Sequence, residues 1–187
     1  MAEPKLERIV VRASAFLGDP TVSSYREQLV EYVFLADLLQ DGWMRRGQRI
    51  DVLRADVDGA GYDLVAECQG IVRQIQLKST VAGGAARGQK IHTDLARHRS
   101  GCVVWMLLEE LPGHRLGMSF LVLGGSPGKP MPPLDGYRMA RHAKANAQGV
   151  KTFRRATREI PRSAFTHRPD VASLSDWLFG PPLGATR

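Results

Sequence analysis

Two apolar, β-branched runs separated by two residues constrain this chain more than any other feature. They are Gly61-Tyr62-Asp63-Leu64-Val65-Ala66-Glu67-Cys68 and Ile71-Val72-Arg73-Gln74-Ile75-Gln76-Leu77-Lys78, with Gln69-Gly70 between them. Small or polar residues that tolerate positive φ, set between strand-like runs, predict a β-hairpin with a tight turn. With Gln69-Gly70 as a two-residue turn, Cys68 faces Ile71 and the numbers of facing residues sum to 139. Asp63 then stands opposite Gln76, and Lys78 shares their face because side chains alternate along a strand. Tyr62/Leu77, Leu64/Ile75 and Cys68/Ile71 make apolar pairs on the other face. A slip of one residue would invert every side chain, and the apolar pairs select this register against it. One face of the hairpin thus carries an acid, an amide and an ammonium. The plainer alternative is a solvated sheet face with incidental polar residues.

Upstream, Ser24 to Asp41 has apolar residues at helical spacing, at Leu29, Val33, Ala36, Leu38 and Leu39, and meets a stop at Gly42. Glu31 falls at the margin of that stripe, where a carboxylate can reach a site on the sheet. Glu27, one turn earlier, competes for the same role, and both are otherwise ordinary solvated helix residues.

A helix with Glu31, then Asp63 at the start of a strand, then Gln76-Leu77-Lys78 on its hairpin partner resembles the PD-(D/E)XK nuclease superfamily, in the variant with Gln in place of the acid of the last triplet. The likeness covers roughly Ser24 to Leu108. Tyr62 stands where that superfamily often has proline, and the amide of Gln76 replaces an acid. The resemblance implies Mg²⁺ or Mn²⁺ as cofactor, with Asp63 as central ligand, the Gln76 side-chain oxygen and the Leu77 carbonyl beside it, and Glu31 as a further ligand or holder of a metal-bound water. Lys78 would orient the attacking water or stabilise the charge developing on phosphorus. Adding an anionic nucleophile to an anionic diester is what makes a divalent cation useful in such chemistry. The implied activity is hydrolysis of phosphodiester bonds in DNA, in DNA processing or in defence against foreign DNA. The missing acid keeps a second reading open, a catalytically inactive relative that binds nucleic acid or serves as a subunit of a larger complex.

Charge agrees with a polyanionic partner. The chain of 187 residues has a formal net charge of +7. Arg138, Arg141, Lys144, Lys151, Arg154, Arg155, Arg158 and Arg162 cluster in a segment whose one acid after Asp135 is Glu159. With Tyr137 and Phe153 interleaved, this reads as a phosphate-tracking surface, DNA being favoured over RNA. A solvated helical face, or a surface for a protein partner, explains the same charges. A homodimer is a further expectation, since cutting both strands of a duplex needs two sites.

The remaining features bound the fold and its setting. The length suits one core, residues 1–125 forming the nuclease-like part and residues 126–187 a Pro/Gly linker, basic segment and terminal helix within a single domain. No apolar run is long enough to span a bilayer, and Met1 to Arg8 is charged and lacks a signal-peptide core, so the expected setting is cytoplasmic, with no membrane partner. Cys68 and Cys102 lie in strand-like runs and read as buried free thiols. Arg49–Arg54 predicts the strand before the hairpin. Asp58 near Asp63 could hold a metal-bound water, although Asp-Gly is first a turn signal. Val81 to Gly88 reads as a mobile loop and His92 to His98 as a helix, with His92 either touching substrate or lying on the surface. Cys102–Leu108 reads as a central strand covered on both faces, and Met118–Leu123 as one more. Ser173–Gly180 predicts a short helix anchored by Leu174, Trp177 and Leu178. The expected fold is α/β, a mixed sheet of about five strands flanked by helices in the order α-β-β-β-α-β, with a basic helical appendage.

Overall fold

The computed structural model describes Leu17 and residues 19–55, 61–142 and 152–182. Asp58, Lys144 and Lys151 lie outside the described residues. Helix α1 spans Ser23–Gln40 and runs into a π-type turn, Asp41–Arg45. Strands β1 (Asp51–Arg54), β2 (Leu64–Cys68) and β3 (Ile71–Val81) follow, then β4 (Gly88–His92), β5 (Gly101–Leu111) and β6 (Arg115–Gly124). The chain closes with β7 (Met139–Arg141), β8 (Phe153–Pro161), β9 (Thr166–Arg168) and helix α2 (Val171–Phe179). The fold is mixed α/β: one six-stranded sheet in the order β1-β2-β3-β5-β6-β9 and one three-stranded sheet in the order β4-β8-β7. In the larger sheet β3 and β5 are parallel and the other neighbours antiparallel. No helix among the described residues is long and apolar enough to cross a membrane.

The hairpin adopts the register in which facing residues sum to 139, from Leu64 opposite Ile75 to Cys68 opposite Ile71. Gln69 and Gly70 both have positive φ, 53° and 79°, the paired left-handed turn whose twist matches that of two antiparallel strands. The Glu67 carboxylate holds the turn by accepting from the Gly70 N–H.

Two cores lie on the two faces of the large sheet. On one face Leu64, Ile75, Val104, Met106 and Phe120 pack against Val30, Phe34 and Leu38 of α1 and Leu174 and Leu178 of α2. On the other, Val103, Trp105, Leu107 and Leu121 pack against Ile91 and Leu95 and against Ile160 from the small sheet. Cys102 to Leu108 is buried throughout, as a strand covered on both sides requires. Cys68 and Cys102 are free and buried, and burial pushes the Cys102 thiol up to about 11.

Three expectations need correction. The segment 138–161 is not helical where described: β7 and β8 form a small antiparallel sheet with β4, held by cross-strand bonds that no local periodicity announces. The loop and helix expected over residues 81–98 are a short turn, strand β4 and a single 3-10 turn, Thr93–Arg97. Within α1 the stripe expected on the core face is buried only at Leu38. Val30, Phe34 and Leu38 are buried, whereas Leu29, Ala36 and Leu39 are exposed. Gly42 is no stop either, because the chain stays helical to Arg45. A Cβ there would sit 2.8 Å from Ile50 Cδ1, so the glycine lets the next segment pack close.

Helix α2 is fixed at its start by a reciprocal cap: Asp170 accepts from the Ser173 N–H at 2.8 Å, while the Ser173 hydroxyl accepts from the Asp170 N–H. The backbone bond from Ser173 holds the Asp170 carboxyl below its ordinary value. A carboxyl lowered by folding stabilises above its unfolded value of about 3.9, and that contribution is lost as pH falls through the lower folded value. Asp170→Ala is expected to cost about 1 kcal/mol in urea unfolding at neutral pH, with the difference from wild type shrinking in strong acid.

Candidate active-site cleft

Strand β2 begins only at Leu64, opposite Ile75, while β3 continues to Val81, so among the described residues one edge of β3 loses its strand neighbour halfway along. A cleft of about 590 Å³ opens there, between α1 and β4. Asp63 sits at its mouth. Its backbone N–H donates to Ile75 O at 2.9 Å and its carbonyl accepts from the Ala55 N–H at 3.0 Å, which fixes the residue between β1 and β3. Its carboxylate Oδ2 accepts from the Leu77 N–H at 2.6 Å, in the place where a longer β2 would have offered a carbonyl. The N–H and C=O of a strand residue point to the same side, so the Leu77 carbonyl also looks into the gap.

Glu27, Glu31, Arg54, Tyr62, Asp63, Leu77, Lys78, Ser79 and Gln89 contribute to the lining. Lys78 is half-buried and has no ion-pair partner among the described residues. Glu31 does not stand alone: its Oε1 is 2.8 Å from Arg54 Nε, and the Arg54 guanidinium lies 4.8 Å over the Tyr32 ring. Arg54 was not anticipated, since its strand gave no sign of which helix residue it would meet.

Gln76 departs from the expected site. It is buried and lies outside the cleft lining, and its Oε1 accepts from the His92 N–H at 3.4 Å. Alternation explains this, because Gln76 points to the face covered by β4, whereas Lys78, two residues on, has passed the end of that cover. His92 is held locally as well, its Nδ1 accepting from the Asp94 N–H at 3.2 Å.

Oxygen donors of the hard type favoured by Mg²⁺ face the cleft: the Asp63 carboxylate, the Leu77 carbonyl and the acids of α1. Mg²⁺ keeps most of its waters and commonly takes only one or two carboxylates, so this set fits a sparse site. Among the described residues, no three His, Cys, Asp or Glu side chains come together as a ready metal cage.

The basic sheet adjoins this cleft through Gln89, which lines both it and a neighbouring depression formed with Arg87, Lys90, Arg138 and Glu159. Arg141 lies 5.1 Å over the Phe153 ring, and Arg154 and Arg155 are exposed on β8. Arg138 is paired with Glu159, and its hydrogen bond holds that carboxyl below the ordinary range. Arg158 turns back to its own strand, donating to the Arg155 carbonyl at 2.7 Å. Arg162 stacks 5.4 Å over Trp105 instead of joining the open face. Trp177, expected to anchor α2, carries the Arg73 guanidinium 4.9 Å above its ring.

Comparison with family models, with curated proteins and with solved structures returned no match. The site therefore stands on its geometry.

Gly61 sets the approach of Asp63. It has φ +79°, and a Cβ there would lie 3.1 Å from His92 Cβ and from the Leu95 N–H nitrogen. Gly61→Ala is expected to lower stability by about 1–2 kcal/mol in urea unfolding, because a left-handed backbone and a close contact are penalised together.

Proposed function

We propose that the cleft is the active site of a metal-dependent nuclease that hydrolyses phosphodiester bonds of DNA, with a restriction-endonuclease-like core as its framework. The observation that carries this reading is the grouping of Asp63, the Leu77 backbone and Lys78, which has no ion-pair partner among the described residues, where β2 begins, with two helix acids in the same lining. Asp63 and the Leu77 carbonyl would hold Mg²⁺ or Mn²⁺, and Glu31 would join them on release from Arg54. A divalent ion bound there supplies charge neutralisation at the phosphate and a more acidic water. Lys78 donates hydrogen bonds towards the non-bridging phosphate oxygens or the water, where fixed positive charge acts against developing negative charge. Arg54 offsets the acids and eases approach of a polyanion. Arg141, Arg154 and Arg155, with Phe153 between them, hold the strand on the basic sheet and lead it to the cleft by way of Gln89. The setting that suits such a reading is the cytoplasm, in DNA processing or defence.

A second reading has its own support. Gln76 is withdrawn to the His92 backbone and Glu31 is paired with Arg54, so an inactive module that binds nucleic acid would look the same at rest.

Cleavage of plasmid and linear DNA with Mg²⁺ or Mn²⁺, and its loss with chelator, tests the enzyme reading. Lys78→Ala is expected to reduce cleavage about a hundredfold or more with little change in unfolding, since a half-buried ammonium without an ion-pair partner among the described residues contributes little to stability. Asp63→Ala should abolish cleavage. Binding without cleavage under any of these conditions leaves the module reading. Replacing Arg141, Arg154 and Arg155 together by Ala should weaken DNA binding equally for all sequences, and should flatten the salt dependence by roughly 0.9 in slope per lost duplex phosphate contact. An unchanged slope would remove the basic sheet from the interface.

A further inference from the structure

Helix α1 has two apolar faces, and the core of the described residues covers one of them. Val30, Phe34 and Leu38 lie on the large sheet. On the other side Tyr25, Leu29, Tyr32, Ala36 and Leu39 succeed one another at intervals of four, three, four and three, and Trp43 in the following turn extends the series by four. Every one of them is exposed, Tyr25 by 60 % and Trp43 by 70 %, with Met44 beside it at 76 %. Single exposed apolar side chains are common and carry no meaning. A stripe that alternates intervals of three and four over about five turns is the spacing at which one helix meets another.

We propose that this stripe is a self-association face, occupied by α1 of a second copy of the chain in a two-fold symmetric pair. The charge distribution argues for this occupant. Two chains of net charge +7 repel, so a copy can approach only where charge is lowest, and the stripe itself carries none. Its flanks are Gln28, Val33, Leu35 and Gln40, while the guanidinium of Arg26 is held by the Leu17 and Asp19 carbonyls at 2.8 and 3.1 Å. At the edge of the stripe the Arg54 guanidinium over Tyr32 is balanced by Glu31. The area is also of the right size. The exposed fractions of these side chains, at about 200 Å² each when free, amount to roughly 650 Å² per protomer, against about 800 Å² per partner in a stable interface of ordinary size. Tyr32 ties the stripe to the cleft, because its ring supports the Arg54 that pairs with Glu31. A symmetric pair would therefore set two clefts on the flanks of one seam.

Sedimentation equilibrium of the full chain at tens of micromolar tests this. The expected mass is twice the 20.6 kDa of the chain. Leu29→Glu with Leu39→Glu places acids in the seam and should weaken self-association at least a hundredfold, leaving the circular dichroism spectrum and melting of the monomer unchanged, as should Trp43→Lys alone. Leu53→Glu, at an exposed apolar site on β1, should leave the mass doubled. A wild-type chain that sediments as a monomer overturns the proposal, as does a doubled mass insensitive to the seam variants. A monomer that pairs only after deletion of residues 1–16 also overturns it, by assigning the stripe to the chain's own beginning.

Discussion

Strand β3 has eleven residues and its hairpin partner β2 has five, so among the described residues about half of one edge of β3 has no strand beside it. A buried backbone N–H left without a partner costs on the order of 1–3 kcal/mol. Asp63 removes that cost for Leu77 by bringing a side-chain oxygen where a main-chain oxygen has run out. The same substitution places a carboxylate at the rim of the gap, next to the carbonyl and side chain that the absent strand would have covered. The cleft is thus a direct consequence of where β2 begins, and α1 and β4 only wall it.

The hairpin was legible because its information is local. The turn, the alternation and most of the apolar pairs lie within eighteen consecutive residues, Gly61 to Lys78, and the register holds from Leu64/Ile75 to Cys68/Ile71. The Tyr62/Leu77 pair does not form, because the strand pairing stops at Leu64 and the two side chains pack on opposite faces of the sheet. The buried runs of β5 and β6 were legible for a similar reason, as continuous apolarity leaves few places to go. By contrast, β4, β7, β8 and β9 are short or arginine-rich, and they become strands only through partners far away in the chain, as with Gly88 opposite Pro161. Helix α1 defeated the reading differently. It carries two apolar stripes, and the sequence shows that both exist without showing which one the sheet will cover. The sheet takes the side bearing Phe34, whose ring meets Phe120 edge-on at 6.0 Å.

Charge is sorted by surface. The cleft holds acids balanced by Arg54 and Lys78, the small sheet presents Arg141, Arg154 and Arg155, and the exposed stripe of α1 is made of uncharged side chains. Inside, Asp41, Arg46 and Arg73 are buried charged residues, and Arg73 is the most enclosed, with Nη2 donating to the Gly125 carbonyl at 3.1 Å, the Trp177 ring below it, and Nε and Nη1 without a hydrogen-bond partner among the described residues. A buried cation is costly unless it is held, and this one clamps β3 to α2 and to the loop after β6. One residue before Trp177, Asp176 receives both Arg45 and Arg46 at 2.8 Å, so this helix is also tied to the turn that follows α1.

The amide at position 76 follows from the fold without reference to catalysis. In the covered layer a neutral oxygen can accept from the His92 N–H at no cost in buried charge, whereas a carboxylate in the same place would have to be desolvated or protonated. An acid there would suit a side chain facing open solvent and a cation, which Gln76 does not. Oxygen donors open to the cleft are then those beyond the cover of β4, with Asp63 the first of them. Glu31, in the same lining, is paired with Arg54, and there it balances charge. The electrostatics of the site therefore turn on a single guanidinium that sits between the helix acid and the ring of Tyr32.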